Sequence, residues 1–290
     1  MKIEVLSPKG YCQGVTLAIK VALEARNKYL DKPIYVLGML VHNEETINFL
    51  KEKGIITLTN EDNDHFKLID LVPPGSILIF TAHGHEEELD EIAQKKDLII
   101  YDATCPMVKA NIRLIKDKIK QGYKVIFIGK NNHPETKAML SISKDVILYD
   151  ESVLNNNLKT TNSKIFVANQ TTLNYEEVKK IHQKILDVNP SAVVQNEVCN
   201  TTRLRQSNLR SLDKDVDLIY IVGSLTSNNT MKLFDIASTT YTNTLVKLIS
   251  SKNDIDPQEL QNKNHIVIAS GASTPPNTVD MIYGFIKNNV

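Results

Sequence analysis

This chain contains only three cysteines, and they are separated by 93 and 94 residues: Cys12, Cys105 and Cys199. Each follows a short apolar run and precedes a stretch with helical periodicity. A thiol at the same point of three successive segments indicates three copies of one supersecondary unit. The alternative is three unrelated buried cysteines, because free cysteine is among the most buried residue types.

Three further landmarks repeat in the same order after each cysteine. A β-rich run ends in a glycine, at Gly38, Gly129 and Gly223. Four residues later a polar residue opens a predicted helix, namely His42, His133 and Ser227. A second β-rich run then ends in a polar cluster, which contains His83, Thr171 with Thr172, and Ser273. Landmarks that recur three times in order favour triplication over chance.

The alternation of short β-rich runs and helical stretches predicts an α/β fold with mainly parallel sheets. We expect three similar α/β lobes in a pseudo-three-fold arrangement, over residues 13–104, 105–198 and 199–290. The N-terminal strand within residues 1–12 has no partner in its own segment, so we expect it to complete the third sheet. Ligand sites of open α/β sheets lie beyond the carboxyl ends of the strands. The repeated polar residues are therefore expected to line one central cavity.

The charge balance argues against several classes of partner. Lys and Arg number 34, as do Asp and Glu, so the sequence predicts no binding to nucleic acid or to a membrane surface. The N-terminus lacks the apolar core of a signal peptide, and no apolar run is long enough to span a bilayer. We therefore expect a cytoplasmic protein with reduced cysteines.

Three thiolates in a reducing compartment indicate a metal site. Structural zinc takes four ligands, often from C-x2-C pairs, and no such pair exists here, although a Cys3His site could use one of the seven histidines. A 4Fe-4S cluster normally takes four thiolates. With three, one iron would be open to substrate and could act as a Lewis acid that also passes electrons.

The polar residues at the predicted strand ends suggest an anionic ligand. They are hydrogen-bond donors without fixed charge, and three of them lie at helix starts, where free backbone N–H groups favour anions. This set suits a phosphate and comprises His42, His83, His133, Thr171, Thr172, Ser227, Asn229 and Ser273. A single histidine is more often structural, and a serine at a helix start is by default an N-cap.

Glu135 stands in the sequence His-Pro-Glu, at residues 133–135. Proline favours the first helical position, which makes His133 the expected N-cap and places Glu135 in the first turn. A carboxylate there can simply complement the helix dipole. The functional alternative is a proton donor, because a carboxyl group beside phosphate and away from bulk water has a raised pKa.

Motifs from one end of the chain to the other resemble those of the 4-hydroxy-3-methylbut-2-enyl diphosphate reductase family, whose members complete the methylerythritol phosphate route to isoprenoids. The matching stretches are GYCQGV, VHN, TAHG, DATCP, HPE, QTTL, CNTTRLRQ, VGSLTSNN and SGAST. The resemblance implies three lobes around a 4Fe-4S cluster held by Cys12, Cys105 and Cys199. It also implies reductive dehydroxylation to isopentenyl and dimethylallyl diphosphate, with Glu135 as the proton donor.

The resemblance further implies that the diphosphate is held by His42, His83, His133, Ser227, Asn229 and Ser273, with Thr171 or Thr172 near the substrate's alcohol. Two positions depart from the family pattern. Asn228 stands where a second serine is usual, and its amide can still donate to the diphosphate. Pro276 stands near a helix start where an acidic residue is more common.

The glycines never form G-x-G-x-x-G, so the sequence predicts no nicotinamide or flavin site. Electrons are therefore expected from flavodoxin, ferredoxin or a similar donor. Two alternatives stay open. A quinolinate synthase-like 4Fe-4S dehydratase would favour Arg or Lys among the substrate-binding residues, because its substrate carries carboxylates. A non-catalytic metal-binding or redox-sensing protein would have no use for Glu135.

Overall fold

The computed structural model describes residues 1–150, 164–195, 198–213 and 215–289. The first part of the chain alternates strands and helices as the sequence predicts. Its elements are β1 (Lys2–Val5), α1 (Gln13–Lys28), β2 (Ile34–Leu37), α2 (Glu44–Glu52), β3 (Ile55–Leu58), α3 (His65–Asp70), β4 (Ile77–Phe80), α4 (Glu88–Lys95) and β5 (Ile99–Asp102). Strands β2 to β5 form a parallel sheet in the order β3-β2-β4-β5.

The middle of the chain repeats this pattern. Its elements are α5 (Pro106–Lys120), β6 (Tyr123–Ile128), α6 (Pro134–Leu140), β7 (Val146–Tyr149), β8 (Lys164–Asn169), α7 (Tyr175–Val188) and β9 (Val193–Val194). The four strands again form a parallel sheet, in the order β7-β6-β8-β9.

The last part of the chain builds the third sheet with help from the N-terminus. Its elements are α8 (Asn200–Arg210), β10 (Leu218–Val222), α9 (Asn228–Thr240), β11 (Leu245–Ile249), β12 (His265–Ser270) and α10 (Pro276–Asn288), with short 3-10 turns at Lys252–Asp254 and Pro257–Leu260. The sheet order is β1-β12-β10-β11, and β1 pairs in parallel with β12. The predicted role of the N-terminal strand is confirmed.

The strand order is the same in all three sheets. When the four strands of a repeat are numbered along the chain, they lie side by side in the order second, first, third, fourth. In the third sheet β1 occupies the place that β5 and β9 occupy in the others. This identity of order confirms the α/β class and supports the triplicated interpretation.

The chain divides into two compact units. One contains Met1–Val15, His42–Thr46 and Cys199–Val290, and the other contains Thr16–Val41 and Ile47–Val198. The first unit holds the third sheet, and the second unit holds the other two. The lobe boundaries at residues 13–104, 105–198 and 199–290, and the pseudo-three-fold arrangement, stay predictions.

The central strand β10 of the third sheet is apolar because helices cover both faces of this parallel sheet. All five residues of β10 are buried. Leu218, Tyr220 and Val222 pack in the same apolar cluster as residues of α10, whereas Ile219 and Ile221 pack with residues of α9. No helix in the described ranges is long and apolar enough to cross a membrane.

Candidate active site

Each sheet has a topological switch point between its two central strands, where ligands of open α/β sheets bind at the carboxyl ends. These central pairs are β2 with β4, β6 with β8, and β10 with β12. The repeated glycine directly follows the first strand of each pair, and the polar cluster closely follows the second. Each sheet therefore places its two predicted landmarks side by side.

The three cysteines occupy equivalent places in the three repeats. Each follows the fourth strand of a sheet and directly precedes a helix: Cys12 before α1, Cys105 as N-cap of α5, and Cys199 as N-cap of α8. All three are half-buried, and in the described part of the chain none forms a disulfide. The thiolate is the form of cysteine that binds metals.

Backbone hydrogen bonds connect two of the cysteines to the polar loops. The amide of Cys12 donates to the carbonyl of Ala272 at 2.9 Å, and the amide of Cys105 donates to the carbonyl of Ala82 at 3.0 Å. The residue after each acceptor is a predicted diphosphate ligand, Ser273 or His83. The backbone of Cys12 is thus held next to the loop of Ser273, and the backbone of Cys105 next to the loop of His83.

The unit that contains the third sheet brings several predicted diphosphate ligands together. Ser227 is the N-cap of α9, and its Oγ accepts from the amide of Thr230. Ser273 Oγ lies 3.3 Å from Ser227 Oγ and donates to the carbonyl of His42 at 2.9 Å. Asn229 Oδ1 accepts from the amide of Ala272 at 2.9 Å. Short polar side chains therefore surround the start of α9.

His42 does not open helix α2 as the repeat predicts. The helix begins at Glu44, and Asn43 accepts from the amide of Thr46 at 3.0 Å. Asparagine is a preferred N-cap, so the helix starts one residue later than the spacing predicts. Burial lowers the pKa of His42, which favours its neutral form at neutral pH.

The second unit brings His83 and His133 together, although they follow strands of different sheets. Their ring centroids lie 5.3 Å apart in an edge-to-face arrangement. His133 is the N-cap of α6, as predicted, and its Nδ1 accepts from the amide of Glu135 at 3.1 Å. A neutral imidazole with this bond carries its proton on Nε2, which makes Nε2 a hydrogen-bond donor.

Glu135 is fully buried, and both of its carboxylate oxygens are bound by Thr171. The amide of Thr171 donates to Oε1 at 2.9 Å, and its Oγ1 donates to Oε2 at 2.8 Å. The neighbouring Thr172 instead accepts from Gln170 Nε2. A carboxylate that only complements a helix dipole needs no burial, as Glu176 illustrates in the first turn of α7, where it is exposed. The arrangement therefore favours a chemical role for Glu135, with Thr171 as its partner.

Sequence reasoning missed several residues around these groups. Thr202 Oγ1 accepts from Asn229 Nδ2 at 3.3 Å, and Gln170 is fully buried beside the two threonines. Both lie inside the motifs CNTTRLRQ and QTTL, which was the available signal.

His65 and Glu86 form a buried pair that the sequence did not predict. The distance from His65 Nδ1 to Glu86 Oε2 is 2.7 Å. Burial alone would raise the pKa of Glu86, but the hydrogen bond and charge of His65 lower it.

Both departures from the family pattern lie at helix starts. Asn228 is half-buried and is the first residue of α9, directly after the N-cap Ser227. Pro276 is the first residue of α10. Its Cγ lies 2.8 Å from where a Cβ on Gly10 would be, and Gly10 has a φ of +66°. Only glycine fits at this position, where the segment between β1 and α1, residues 6–12 (the Cys12 loop), approaches α10 closely.

A family model for the LytB protein matches residues 3–287. The chain belongs to the LytB family. Among its relatives, a protein from Malacoplasma penetrans is 34% identical over all of this chain and 98% of its own length. A protein from Brevibacillus brevis is 37% identical over 99% of this chain and 92% of its own length. Both are named 4-hydroxy-3-methylbut-2-enyl diphosphate reductase.

Solved structures of LytB-like reductases match the fold. The E-1-hydroxy-2-methyl-but-2-enyl-4-diphosphate reductase from Plasmodium falciparum is 32% identical and has a TM-score of 0.85 over 97% of this chain and 86% of that one. A second structure, described as the terminal enzyme of the non-mevalonate pathway, is 28% identical with a TM-score of 0.70 over 99% of this chain and all of that one. The resemblance in the motifs is thus confirmed at the level of the family.

Proposed function

We propose that this chain is a 4-hydroxy-3-methylbut-2-enyl diphosphate reductase, which removes the substrate's hydroxyl and yields isopentenyl and dimethylallyl diphosphate. The observation that carries this proposal is the buried carboxyl of Glu135, held by Thr171 at the carboxyl end of β8. Relatives that bear this name match essentially the whole chain.

We assign Cys12, Cys105 and Cys199 as the ligands of a 4Fe-4S cluster. The donor set suits this group, because three half-exposed thiols without disulfides stand at helix starts in equivalent places of three repeats. When bound, such a cluster supplies electrons and, at the iron without a protein thiolate, a Lewis acid.

The diphosphate is assigned to uncharged donors and helix starts, which bind anions without fixed positive charge. The proposed cradle consists of His42, His83, His133, Ser227, Asn228, Asn229 and Ser273. The Nε2–H of His133 is one such donor, because its Nδ1 is engaged by the Glu135 amide. The hydroxyl groups of Ser227 and Ser273 lie close enough to bind neighbouring oxygens of one phosphate.

The reaction consumes two electrons and two protons, breaks the carbon–oxygen bond of the alcohol, releases water and forms a carbon–hydrogen bond. We assign the proton that leaves with the hydroxyl to Glu135. Thr171 holds this carboxyl in one orientation, and its two donors stabilise the carboxylate that remains after proton transfer. Protonation at one or the other end of the allylic system gives the two products.

The electrons are proposed to come from a separate donor such as flavodoxin or ferredoxin, because the sequence has no dinucleotide-binding fingerprint. The cytoplasmic location stays a prediction. A quinolinate synthase-like activity is not favoured, since the proposed cradle contains no Arg or Lys. A non-catalytic role would leave the costly burial of the Glu135 carboxyl unexplained.

The proposal is tested by anaerobic turnover. Protein with a full complement of iron and sulfide is mixed with 4-hydroxy-3-methylbut-2-enyl diphosphate and a chemical one-electron reductant, and the products are separated by chromatography. We expect both isopentenyl and dimethylallyl diphosphate, and none when the reductant is omitted. Iron-loaded, reduced protein that converts no substrate would overturn the proposal.

A further inference from the structure

Arg205, on helix α8, is a buried cation. Its side chain is 4% exposed. Nη1 donates to the carbonyl of Ser270 at 2.6 Å, and Nη2 donates to the carbonyl of Gly10 at 2.6 Å. Within the described ranges no Asp or Glu forms an ion pair with it. Burying a charge is costly unless an opposite charge compensates it, so this guanidinium requires a counterion.

The groups around Arg205 are those that position two of the cysteines. Gly10 precedes Cys12 by two residues, and Arg205 lies on the helix whose N-cap is Cys199. The amide of Gly10 donates to Ser270 Oγ at 3.0 Å, so Arg205 and Ser270 together fix the Cys12 loop at the end of β12. All of these residues belong to one compact unit.

Cys12 and Cys199 act electrostatically on Arg205. Burial lowers the pKa of Arg205 to about 10, and the electrostatic influence of Cys12 and Cys199 acts in the opposite direction. The guanidinium therefore stays charged at neutral pH. Cys12 and Cys199 are both among the proposed cluster ligands.

We propose that Arg205 is a positioning residue that supplies the buried countercharge of the cluster site and favours the cluster's reduced state. This inference rests on the proposed 4Fe-4S site. Reduction adds one negative charge, and a fixed cation in a poorly solvated region stabilises the more negative state. The same side chain holds the loop of Cys12 through Gly10, so charge and position are supplied together.

The test compares variants that separate charge from shape. Arg205→Lys keeps the charge and loses the two-pronged contact, whereas Arg205→Met keeps an apolar stem and loses the charge. Arg203→Met is the matched control, because Arg203 is exposed on the same helix two residues away. The reduction potential of each cluster-loaded protein is measured by anaerobic redox titration followed by electron paramagnetic resonance.

We expect Arg205→Met to lower the equilibrium constant for reduction by about tenfold or more, which is 59 mV or more for a one-electron couple. Arg205→Lys should change this constant by less than tenfold, and Arg203→Met should match the wild type. If Arg205→Met does not retain its fold, Arg205→Gln, which is also neutral but keeps a donor for one carbonyl, replaces it.

Equal shifts in the lysine and neutral variants would assign Arg205 to loop anchoring alone and overturn the inference. Potentials unchanged from the wild type in all variants would overturn it as well. Wild-type protein that binds no iron would instead overturn the proposed cluster site, so the two failures are distinguishable.

Discussion

Among single residues, Glu135 and Thr171 carry the chemistry that we propose. The carboxyl is fully buried, and two donors from one threonine fix both of its oxygens. The motif His-Pro-Glu made the position of Glu135 in the first turn of α6 predictable. Which of the adjacent threonines would bind it was not predictable, because that depends on how β8 pairs with β6.

Replacing Glu135 by Gln removes the transferable proton and keeps the shape of the side chain. We expect kcat to fall roughly 10²–10⁴-fold, the range for losing a general acid, while KM changes little. We also expect a loss of about 1–3 kcal/mol of stability, because the amide group of Gln cannot accept from both donors of Thr171. Anaerobic kinetics and a thermal melt measure the two effects.

Glu176→Gln is the matched control for this experiment. Glu176 also has its amide bound by an N-cap side chain, Asn174, but it is exposed. Its replacement should leave kcat unchanged. Wild-type kcat in Glu135→Gln would assign that carboxyl to the helix and not to the reaction.

The two threonines can be told apart by removing one hydroxyl at a time. Thr171→Val deletes the donor to Glu135 Oε2 and should lower kcat by roughly 10–100-fold, because a hydrogen bond to a charged group contributes about 1.5–3 kcal/mol. Thr172→Val leaves the contacts of Glu135 intact and should have a smaller effect on kcat. A larger loss of kcat in Thr172→Val would place the proton relay on the neighbouring hydroxyl.

At the scale of secondary-structure elements, the starts of helices are where structure and proposed function coincide. His133 and Ser227 cap α6 and α9, and both were predicted from their distance to a glycine. The same spacing was wrong by one residue at α2, where Asn43 is the better cap. The spacing within a repeat thus predicts where each helix lies, whereas the side chain that caps the helix decides at which residue it begins.

The two roles of His133 can be separated by substitution. His133→Asn retains a capping side chain and should keep the melting temperature, but the imidazole donor is lost and the affinity for the diphosphate substrate should fall by roughly tenfold or more. His133→Ala should lose both the affinity and about 0.5–2 kcal/mol of stability.

Asn174→Ala provides the comparison for this pair, because Asn174 caps α7 through the same type of bond to the second helical residue. It should lower the melting temperature and leave substrate affinity unchanged. The measurements are thermal melts and calorimetric binding of the substrate. If His133→Asn binds the substrate as the wild type does, His133 is only a cap.

At the scale of the whole molecule, the chain repeats one strand order three times and borrows its N-terminal strand to complete the third sheet. The spacing of cysteines, glycines and polar clusters predicted three similar α/β repeats, because each landmark marks a strand end or a helix start. The lack of a partner for the N-terminal strand predicted that it completes the third sheet, whereas the order of strands within each sheet was not predicted. The division into two compact units was not predictable, since it depends on packing between elements far apart in the sequence. The buried contacts of Arg205 were missed for the same reason.

The central claim is that the three repeats each supply one thiolate to a single 4Fe-4S cluster. The most direct measurement is the iron and acid-labile sulfide content of anaerobically purified protein, for the wild type and for Cys12→Ser, Cys105→Ser and Cys199→Ser. We expect about four iron and four sulfide per chain in the wild type, and a depleted or degraded cluster in each variant. A colourless wild-type protein that contains zinc, or three serine variants with full iron content, would contradict the claim.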